Sequence, residues 1–357
     1  MKFLAKLEKW VGNSTVVDIV CHTDSDGLTA ASQLINYLKT KNIGYNIVLG
    51  SPERLRHPSF WRLLKNDLVF FLDIPADHER DELSKLSQRA NIIIIDHHNI
   101  MHDMNSDSII HYHRELLNEE RYYPASKMVY DILGGIDWMA CIGLIGDYAG
   151  KPWKEFINSI HDKYGYTHCK DENCFDSPFS DYDRLINSAR MAQGDKGCLK
   201  ALNILVKSAD WLEFKENAMI LENWAKQVND YIEFVKSDYD INKVQHKGAE
   251  LIFYELVNPK YRIGSVLSTI VSTETPNRAV IIIIHKDNAI NINIRRQDGE
   301  YDMSELAKLC TNDIEGSGGG HRKASGATIK EKDLDSFKDC VINTLSQWVK
   351  EHNSKSH

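Results

Sequence analysis

No stretch of the 357-residue chain approaches the roughly 20 consecutive apolar residues of a membrane-spanning helix. That excludes a bilayer-crossing reading, and no membrane partner is expected. The N-terminal segment from Met1 to Trp10 is interrupted by charge every few residues and lacks the apolar centre of a secretory signal, which predicts a helix in a cytoplasmic protein. Basic residues are in deficit, 43 Lys and Arg against 51 Asp and Glu, for a net charge of −8. A protein that grips long nucleic acid nonspecifically needs the opposite balance, because that binding is driven by cationic surface and counterion release. A local basic patch stays open. Cysteines are few, seven in number and scattered. An odd set in an intracellular-looking chain predicts free thiols rather than a disulfide framework. Internal repeats and low-complexity tracts are absent.

What is there is enough chain for two domains and a pattern of strands that end in metal-binding side chains. The stretch Val16-Val17-Asp18-Ile19-Val20-Cys21 is a short, largely apolar run that ends in His22-Thr23-Asp24-Ser25-Asp26-Gly27, followed by apolar residues at helical spacing through Leu38. A buried strand ending this way delivers an imidazole and two carboxylates to a strand-to-helix turn, where open α/β sheets build their sites. Asp24 or Asp26 could equally do no more than cap the following helix. Tyr45 to Gly50 reads as a second strand. The apolar run Asp67 to Pro75 carries a third, terminating in the carboxylate of Asp73, and Asn91-Ile92-Ile93-Ile94-Ile95 is a fourth, terminating in Asp96-His97-His98. Four consecutive Ile are the β-branched composition of a strand buried on both faces. Ile109 to His113 is a further strand, and Ala125 to Leu133 and Trp138 to Ala149 read as helices, the second carrying Asp147 on an otherwise apolar surface. A buried carboxylate is costly unless paired or metal-bound. Strands alternating with helices predict an α/β fold with a doubly wound, mostly parallel sheet.

The segment 164–181 contains His168, Cys169 and Cys174 among polar residues. Cys-x4-Cys without a second pair lacks structural-zinc spacing, and an insertion loop is the expected reading. From Lys196 to about Tyr239 an apolar stripe at helical spacing predicts a helical connector. A smaller α/β unit follows, with strands 250–257, 279–285 and 290–296, helices from Gly264 and Ser304, a Gly-rich loop Gly316-Ser317-Gly318-Gly319-Gly320-His321, and a closing helix 333–350. The expected divisions are 1–194, 195–243 and 244–357. Three Gly can be a plain flexible turn. They also let backbone N–H groups approach an anion, and His321 with Arg295 and Arg296 on a nearby strand end would give a phosphate a cationic pocket.

His22, Asp24, Asp26, Asp73, His97 and Asp147 form a hard ligand set with two imidazoles and no thiolate, suited to Mn²⁺ or Mg²⁺. One ion cannot use six such ligands. Two ions sharing a carboxylate can, and such a pair supports in-line displacement at phosphorus. Hydrolysis of a phosphoester is the expected reaction.

Together, His22-x-Asp24-x-Asp26-Gly27, Asp73, Asp96-His97-His98 and Gly146-Asp147 resemble the four motifs of the DHH phosphoesterase family, in the family's order. Gly318-Gly319-Gly320-His321-x-x-Ala324-x-Gly326 resembles the signature of its companion DHHA1 domain. The resemblance implies a DHH domain joined by a helical connector to a DHHA1 domain, a di-manganese site in the first, a substrate clamp in the second and an active cleft between them. It assigns one ion to His22, Asp24 and Asp73 and the other to Asp26, Asp73, His97 and Asp147, with Asp73 as bridge. His98 would face the scissile phosphate with Asp96 orienting a histidine, and Arg295, Gly318, Gly319, Gly320 and His321 would serve substrate. Arg296 stands where the family has Ser. The substrates implied are short single-stranded oligonucleotides, as for nanoRNases, or small nucleotides such as 3′-phosphoadenosine 5′-phosphate. RecJ-like single-strand exonuclease and cyclic dinucleotide phosphodiesterase activities are the alternatives, and a homodimer is compatible with the family. A noncatalytic replication-fork scaffold is a further alternative, against which every ligand is retained. The oligonucleotide-binding domain of the long exonucleases finds no room in the chain as divided here.

Overall fold

The computed structural model describes residues 2–286 and 289–355. The chain divides after Ala225 into two units, each with its own sheet and core.

In the first unit β1 (Val16–Cys21), β2 (Gly44–Leu49), β3 (Leu68–Leu72), β4 (Asn91–Asp96) and β5 (Ile109–His113) form a sheet in the order β2-β1-β3-β4-β5, with every pairing parallel. Successive side chains point to opposite faces, and both faces are covered. Ile19, Phe70, Ile93 and Ile95 pack with the helices Ser25–Thr40, Ala125–Leu133 and Asp137–Gly146, whereas Val20, Val69, Phe71, Ile92 and Ile94 pack with Leu55, Phe60, Trp61, Leu83 and Leu86. Burial on both sides explains why these strands are continuous apolar runs rather than alternating ones. A carboxylate interrupts β1. Asp18 is fully buried and accepts the backbone N–H groups of Lys65 (2.6 Å) and Asn66 (2.9 Å) and the side-chain amides of Asn66 (2.8 Å) and Asn46 (3.0 Å), so it fixes the approach to β3. The strand order reverses between β1 and β3, and the carboxyl ends flanking such a switch point are where open α/β sheets leave a crevice. His22, Asp73 and the Asp96-His97-His98 run stand at those ends.

One expectation shifts here. The second predicted helix ends at Gly146, which leaves Asp147 at its C-cap rather than inside it. The helix Asp195–Lys207 and the start of Met219–Asn242 contribute Cys198, Ala201, Leu205, Leu221 and Ala225 to the first unit's core.

The second unit is a mixed six-stranded sheet, β6 (Val244–His246), β7 (Leu251–Val257), β8 (Ala279–Lys286), β9 (Ala289–Arg295), β10 (Gly316–His321) and β11 (Ala324–Lys330), in the order β10-β11-β9-β8-β7-β6. Only β7 and β8 pair in parallel. One face packs Ile281, Ile283, Ile290, Ile292 and Ile294 against Leu306, Phe337, Val341 and Leu345 of the helices Met303–Thr311 and Leu334–Lys355. The Gly-rich segment, predicted as a loop, is the edge strand β10. Gly318 faces the Met303–Thr311 helix so closely that a Cβ there would lie 2.6 Å from the Ala307 carbonyl oxygen. The free-thiol expectation also fails for two residues, because the packing of these two helices brings Cys310 and Cys340 to a Cα separation of 5.6 Å and they form a disulfide. Among the described residues no helix is long and apolar enough to cross a membrane.

Candidate metal centre

At the carboxyl ends of β1, β3 and β4 three convergent sets of ligand atoms occur: His22, Asp24 and Asp73; Asp26, His97 and Asp147; and Asp73, Asp96, His97 and His98. Within each set the atoms lie within 4.8 Å of one another. Asp73, like His97, belongs to two of the sets. It is buried and its φ is +58°, a left-handed conformation that Asp tolerates better than most residues but still uncommon. The turn out of β3 is held by the Asp73 N–H donating to the Ile95 carbonyl (2.9 Å).

Asp24 combines both roles considered for it. Its Oδ1 accepts the Gly27 N–H at 3.1 Å as helix cap, while its Oδ2 lies 2.6 Å from His22 Nδ1. Asp26, inside the first turn, does not cap its own helix. It reaches across to the start of the Ala125–Leu133 helix, where the N–H groups of Ala125 (2.7 Å) and Ser126 (3.0 Å) donate to it. Those are unpaired donors at the positive end of a helix, which favours the ionised carboxylate. Gly143 makes room for this contact, because a Cβ on it would lie 2.6 Å from Asp26 Oδ1 and from Ser126 Cβ.

His97 Nε2 lies 3.0 Å from Asp73 Oδ1, 3.4 Å from Asp147 Oδ2 and 4.0 Å from Asp26 Oδ2. His98 turns toward Asp96, with Nδ1 2.8 Å from Oδ1. Burial alone would lower the His97 pKa, but the surrounding carboxylates, Asp73 foremost, raise it to about 10. His22 is likewise held well above its usual range against burial by Asp24 and Asp73. Asp26 is pushed well up by burial and by the charges of Asp73 and Asp147. Asp147 rises to about 7 through burial, with His97 opposing and Asp73 and Asp24 adding to the rise. Asp24 moves down, since His22 outweighs its burial, and Asp96 falls to about 2 because His98 does the same for it.

Carboxylates crowded this closely call for positive charge, and among the described residues no Lys or Arg ion pair reaches Asp24, Asp26, Asp73 or Asp147, Arg190 acting on Asp24 only from beyond ion-pair distance. Hydrogen bonding leaves the same requirement. His22 Nδ1, Asp73 Oδ2 and Asp147 Oδ2 are buried without an aligned hydrogen-bond partner among the described residues, although His22 Nδ1 is only 2.6 and 3.4 Å from two carboxylates. Ligand atoms aimed at a common point rather than at each other are what divalent cations would satisfy.

Other supports of the centre carried no sequence signal. Ser25, between the two Asp, donates to Asp183 Oδ1 at 2.5 Å, and Asn187 also donates to that oxygen (2.7 Å). Asp183 lies in a helix, Pro178–Gln193, that reads as ordinary amphipathic sequence. The Tyr122 ring stands edge-on to His97 at 4.9 Å.

The remaining predicted site residues lie in the second unit. Strand register aligns His321 with Ala324 and Ala324 with Arg295, and in the row two residues away Gly319 with Gly326 and Gly326 with Asn293. The intervening row, with Gly320, Ser325 and Ile294, faces the core. One outer face therefore carries Arg295, His321 and Asn293 around a floor of two glycines. Arg295 donates to the carbonyls of Ile294 (3.1 Å) and Ser325 (3.2 Å) and to Ser265 Oγ (3.2 Å). Arg296 points inward instead. It is buried, bonded to Asp298 and Glu250 at 2.8 Å, and stacked over Tyr301 at 4.4 Å, so the structure does not bring it to the face that carries Arg295.

Residues 16–146 match the DHH family, N-terminal domain, and residues 252–351 the DHHA1 domain. No curated protein sequence matches the chain. Among solved structures the chain is similar to RecJ in complex with Mn²⁺ from Thermus thermophilus (17% identity, TM-score 0.72, covering 97% of this chain and 54% of that one). It is similar also to an exonuclease RecJ bound to manganese (18%, TM-score 0.67, covering 97% and 94%). A third likeness is to the pGpG-specific phosphodiesterase PggH from Vibrio cholerae (15%, TM-score 0.51, covering 93% and 99%). The chain thus spans about half the length of the Thermus RecJ, and at these identities the likenesses establish the fold.

Proposed function

From its membership of the DHH superfamily, with a DHH domain followed by a DHHA1 domain, we propose that the chain hydrolyses phosphoester bonds in short oligonucleotides or small phosphorylated nucleotides, with two Mn²⁺ as its working ions. The observation that carries the reading is the position of Asp73, which converges with His22 and Asp24 through one carboxylate oxygen, 3.4 Å from His22 Nδ1, and turns the other to His97 of the second set, 3.0 Å from its Nε2. His22, Asp24 and Asp73 would hold one ion, and Asp26, Asp73, His97 and Asp147 the other. Bound there, a divalent pair supplies a readily deprotonated water and charge opposite the nonbridging phosphate oxygens.

The protein's own part is positional. The Ala125 and Ser126 N–H groups keep Asp26 aimed, and Asp183 holds Ser25, the residue between Asp24 and Asp26. Asp96 accepts from His98 Nδ1–H and, against burial, raises the His98 pKa, so that in the imidazolium form Nε2–H can donate to an oxygen of the scissile phosphate. In the second unit Arg295, a rigid fork of donors, and His321 flank a glycine floor on which backbone groups can approach a phosphate closely. Two imidazoles among the ligands favour Mn²⁺ over Mg²⁺. A net charge of −8 supports short substrates over long nucleic acid.

The test is a panel of end-labelled RNA and DNA oligomers from the dinucleotide upward, with 3′-phosphoadenosine 5′-phosphate and cyclic dinucleotides, assayed with Mn²⁺, with Mg²⁺ and after chelation. Mn²⁺-dependent turnover greatest on the short substrates is expected. Hydrolysis by exhaustively demetallated protein at the untreated rate would sink the mechanism.

A further inference from the structure

The residue directly after the ligand Asp147 is out of place energetically. Asp147 is the C-cap of the Asp137–Gly146 helix, and Tyr148 follows it with φ +58°. The Tyr148 N–H donates to the Ile145 carbonyl (3.1 Å) and the Ala149 N–H to that of Leu144 (2.8 Å), a helix end closed by a left-handed residue. Glycine dominates that position because a Cβ is disfavoured there, and a bulky aromatic is rare. Burial does not offset the penalty, since Tyr148 remains 69% exposed.

A second exposed aromatic is brought to it by the loop between the helices Lys154–Tyr164 and Pro178–Gln193. Phe175, 43% exposed, meets Tyr148 with ring centroids 5.3 Å apart and planes at 79°. The loop is firmly built. Cys169 and Cys174 are buried, Asp171 accepts the N–H groups of Asn173 (2.8 Å) and Phe175 (3.1 Å), and Asp176 accepts that of Lys170 (2.8 Å). Gly150 has no room for a Cβ because the Asn173 carbonyl occupies that space, so the loop rests directly against the segment that carries Tyr148. Strain retained at an exposed ring next to a metal ligand points to use of the ring rather than to packing.

We infer that Tyr148, supported by Phe175, is a stacking platform for a nucleobase of the substrate, so that the protein selects nucleobase-bearing phosphoesters over sugar phosphates and inorganic polyphosphates. Every base offers a π-face to an aromatic side chain, so the platform selects the class without reading the base. This rests on the phosphoester reading of the adjoining centre.

The test is equilibrium binding to the full chain, by calorimetry in Mn²⁺, of adenosine 5′-monophosphate and of ribose 5-phosphate. The nucleotide should bind about tenfold or more tightly than the sugar phosphate. Tyr148→Gly, which suits the left-handed backbone and so keeps the fold, should abolish most of that difference and leave ribose 5-phosphate binding unchanged. Tyr148→Phe should restore it, and Phe175→Ala should reduce it partway. Equal binding of the two probes by the unsubstituted protein, or an undiminished difference in Tyr148→Gly, would overturn the inference. The preferred binding of the nucleotide is read without turnover. Its presence in a protein inactive on every phosphoester would count against the proposed reaction and leave the platform standing, whereas turnover without the preference would do the reverse.

Discussion

Gly143→Ala tests how the proposed metal centre is positioned, because the added methyl group is aimed at a candidate ligand and at its support. A Cβ at 143 falls 2.6 Å from Asp26 Oδ1 and from Ser126 Cβ, and closer still to Ser126 Oγ. The hydroxyl can rotate away. The Ser126 Cβ and the Asp26 carboxylate cannot, since the backbone N–H groups at 125 and 126 hold that carboxylate at 2.7 and 3.0 Å. Restoring an ordinary contact of about 3.4 Å needs nearly 1 Å of movement shared between them. Overpacking of this kind costs about 1–3 kcal/mol. Replacing a mid-helix Gly by Ala returns about 0.8–1 kcal/mol, so the net loss should be about 0–2 kcal/mol, a few degrees in Tm. The effect on turnover should be far larger, about a hundredfold for a misplacement near 1 Å. Thermal melts, Mn²⁺ content and turnover on a dinucleotide measure all three, and Gly143→Ala/Ser126→Gly should recover part of the loss. Wild-type turnover in Gly143→Ala would refute the argument that Asp26 is placed by this contact.

Arg296→Ala should destabilise the second unit by about 2–3 kcal/mol, because it strands Glu250 and Asp298 beside a buried site, whereas Arg295→Ala should leave Tm within a few degrees and weaken substrate binding; denaturant unfolding beside KM values separates them. Gly318→Ala should destabilise through the Ala307 carbonyl, while Gly319, whose added Cβ would meet nothing nearer than Lys308 Cε at 3.6 Å, should accept Ala without loss of stability and lose activity only if substrate approaches that strand closely; melts and kinetics on the pair decide it. For pH, burial would raise the Glu255 pKa, but Lys338 and His285 outweigh it and hold the carboxylate below its usual range. The unfolded chain therefore takes up the proton first as pH falls, so this contribution is present above the ordinary carboxylate pKa and is lost through the folded one. Melts of wild type and Glu255→Gln should differ at pH 7, and the difference should begin to shrink at the ordinary carboxylate pKa and vanish only below the lowered folded one; a difference constant with pH would show that Glu255 contributes nothing of this kind.

Much of this arrangement was legible because parallel strands buried on both faces are written as unbroken β-branched runs, so Ile92–Ile95 and Leu68–Leu72 announced their ends and the polar residues that follow them. The support of the centre was not legible. Asp26 is fixed by N–H groups about a hundred positions away, Ser25 by Asp183 on a distant helix, and the left-handed turn at Asp73 leaves no mark in composition. β10 carries no strand signal in the sequence because a run of glycines has no alternation of side chains, and its pairing with β11 is decided by backbone hydrogen bonds and by the helix that needs the missing Cβ of Gly318. Arg295 and Arg296 look equivalent in sequence, yet neighbours on a strand face opposite ways, and only one reaches the outer face. The Cys310–Cys340 pairing depends on the packing of two helices that spacing alone does not reveal.

In the proposed centre two cations share Asp73. Elemental analysis of protein reconstituted with Mn²⁺ and dialysed free of excess tests it most directly, on wild type, Asp73→Ala and His98→Ala. Two Mn²⁺ per chain are expected in wild type and in His98→Ala, and loss of both in Asp73→Ala, since removing the shared carboxylate loosens each ion. Two tightly held ions in Asp73→Ala, or none in wild type, would contradict it.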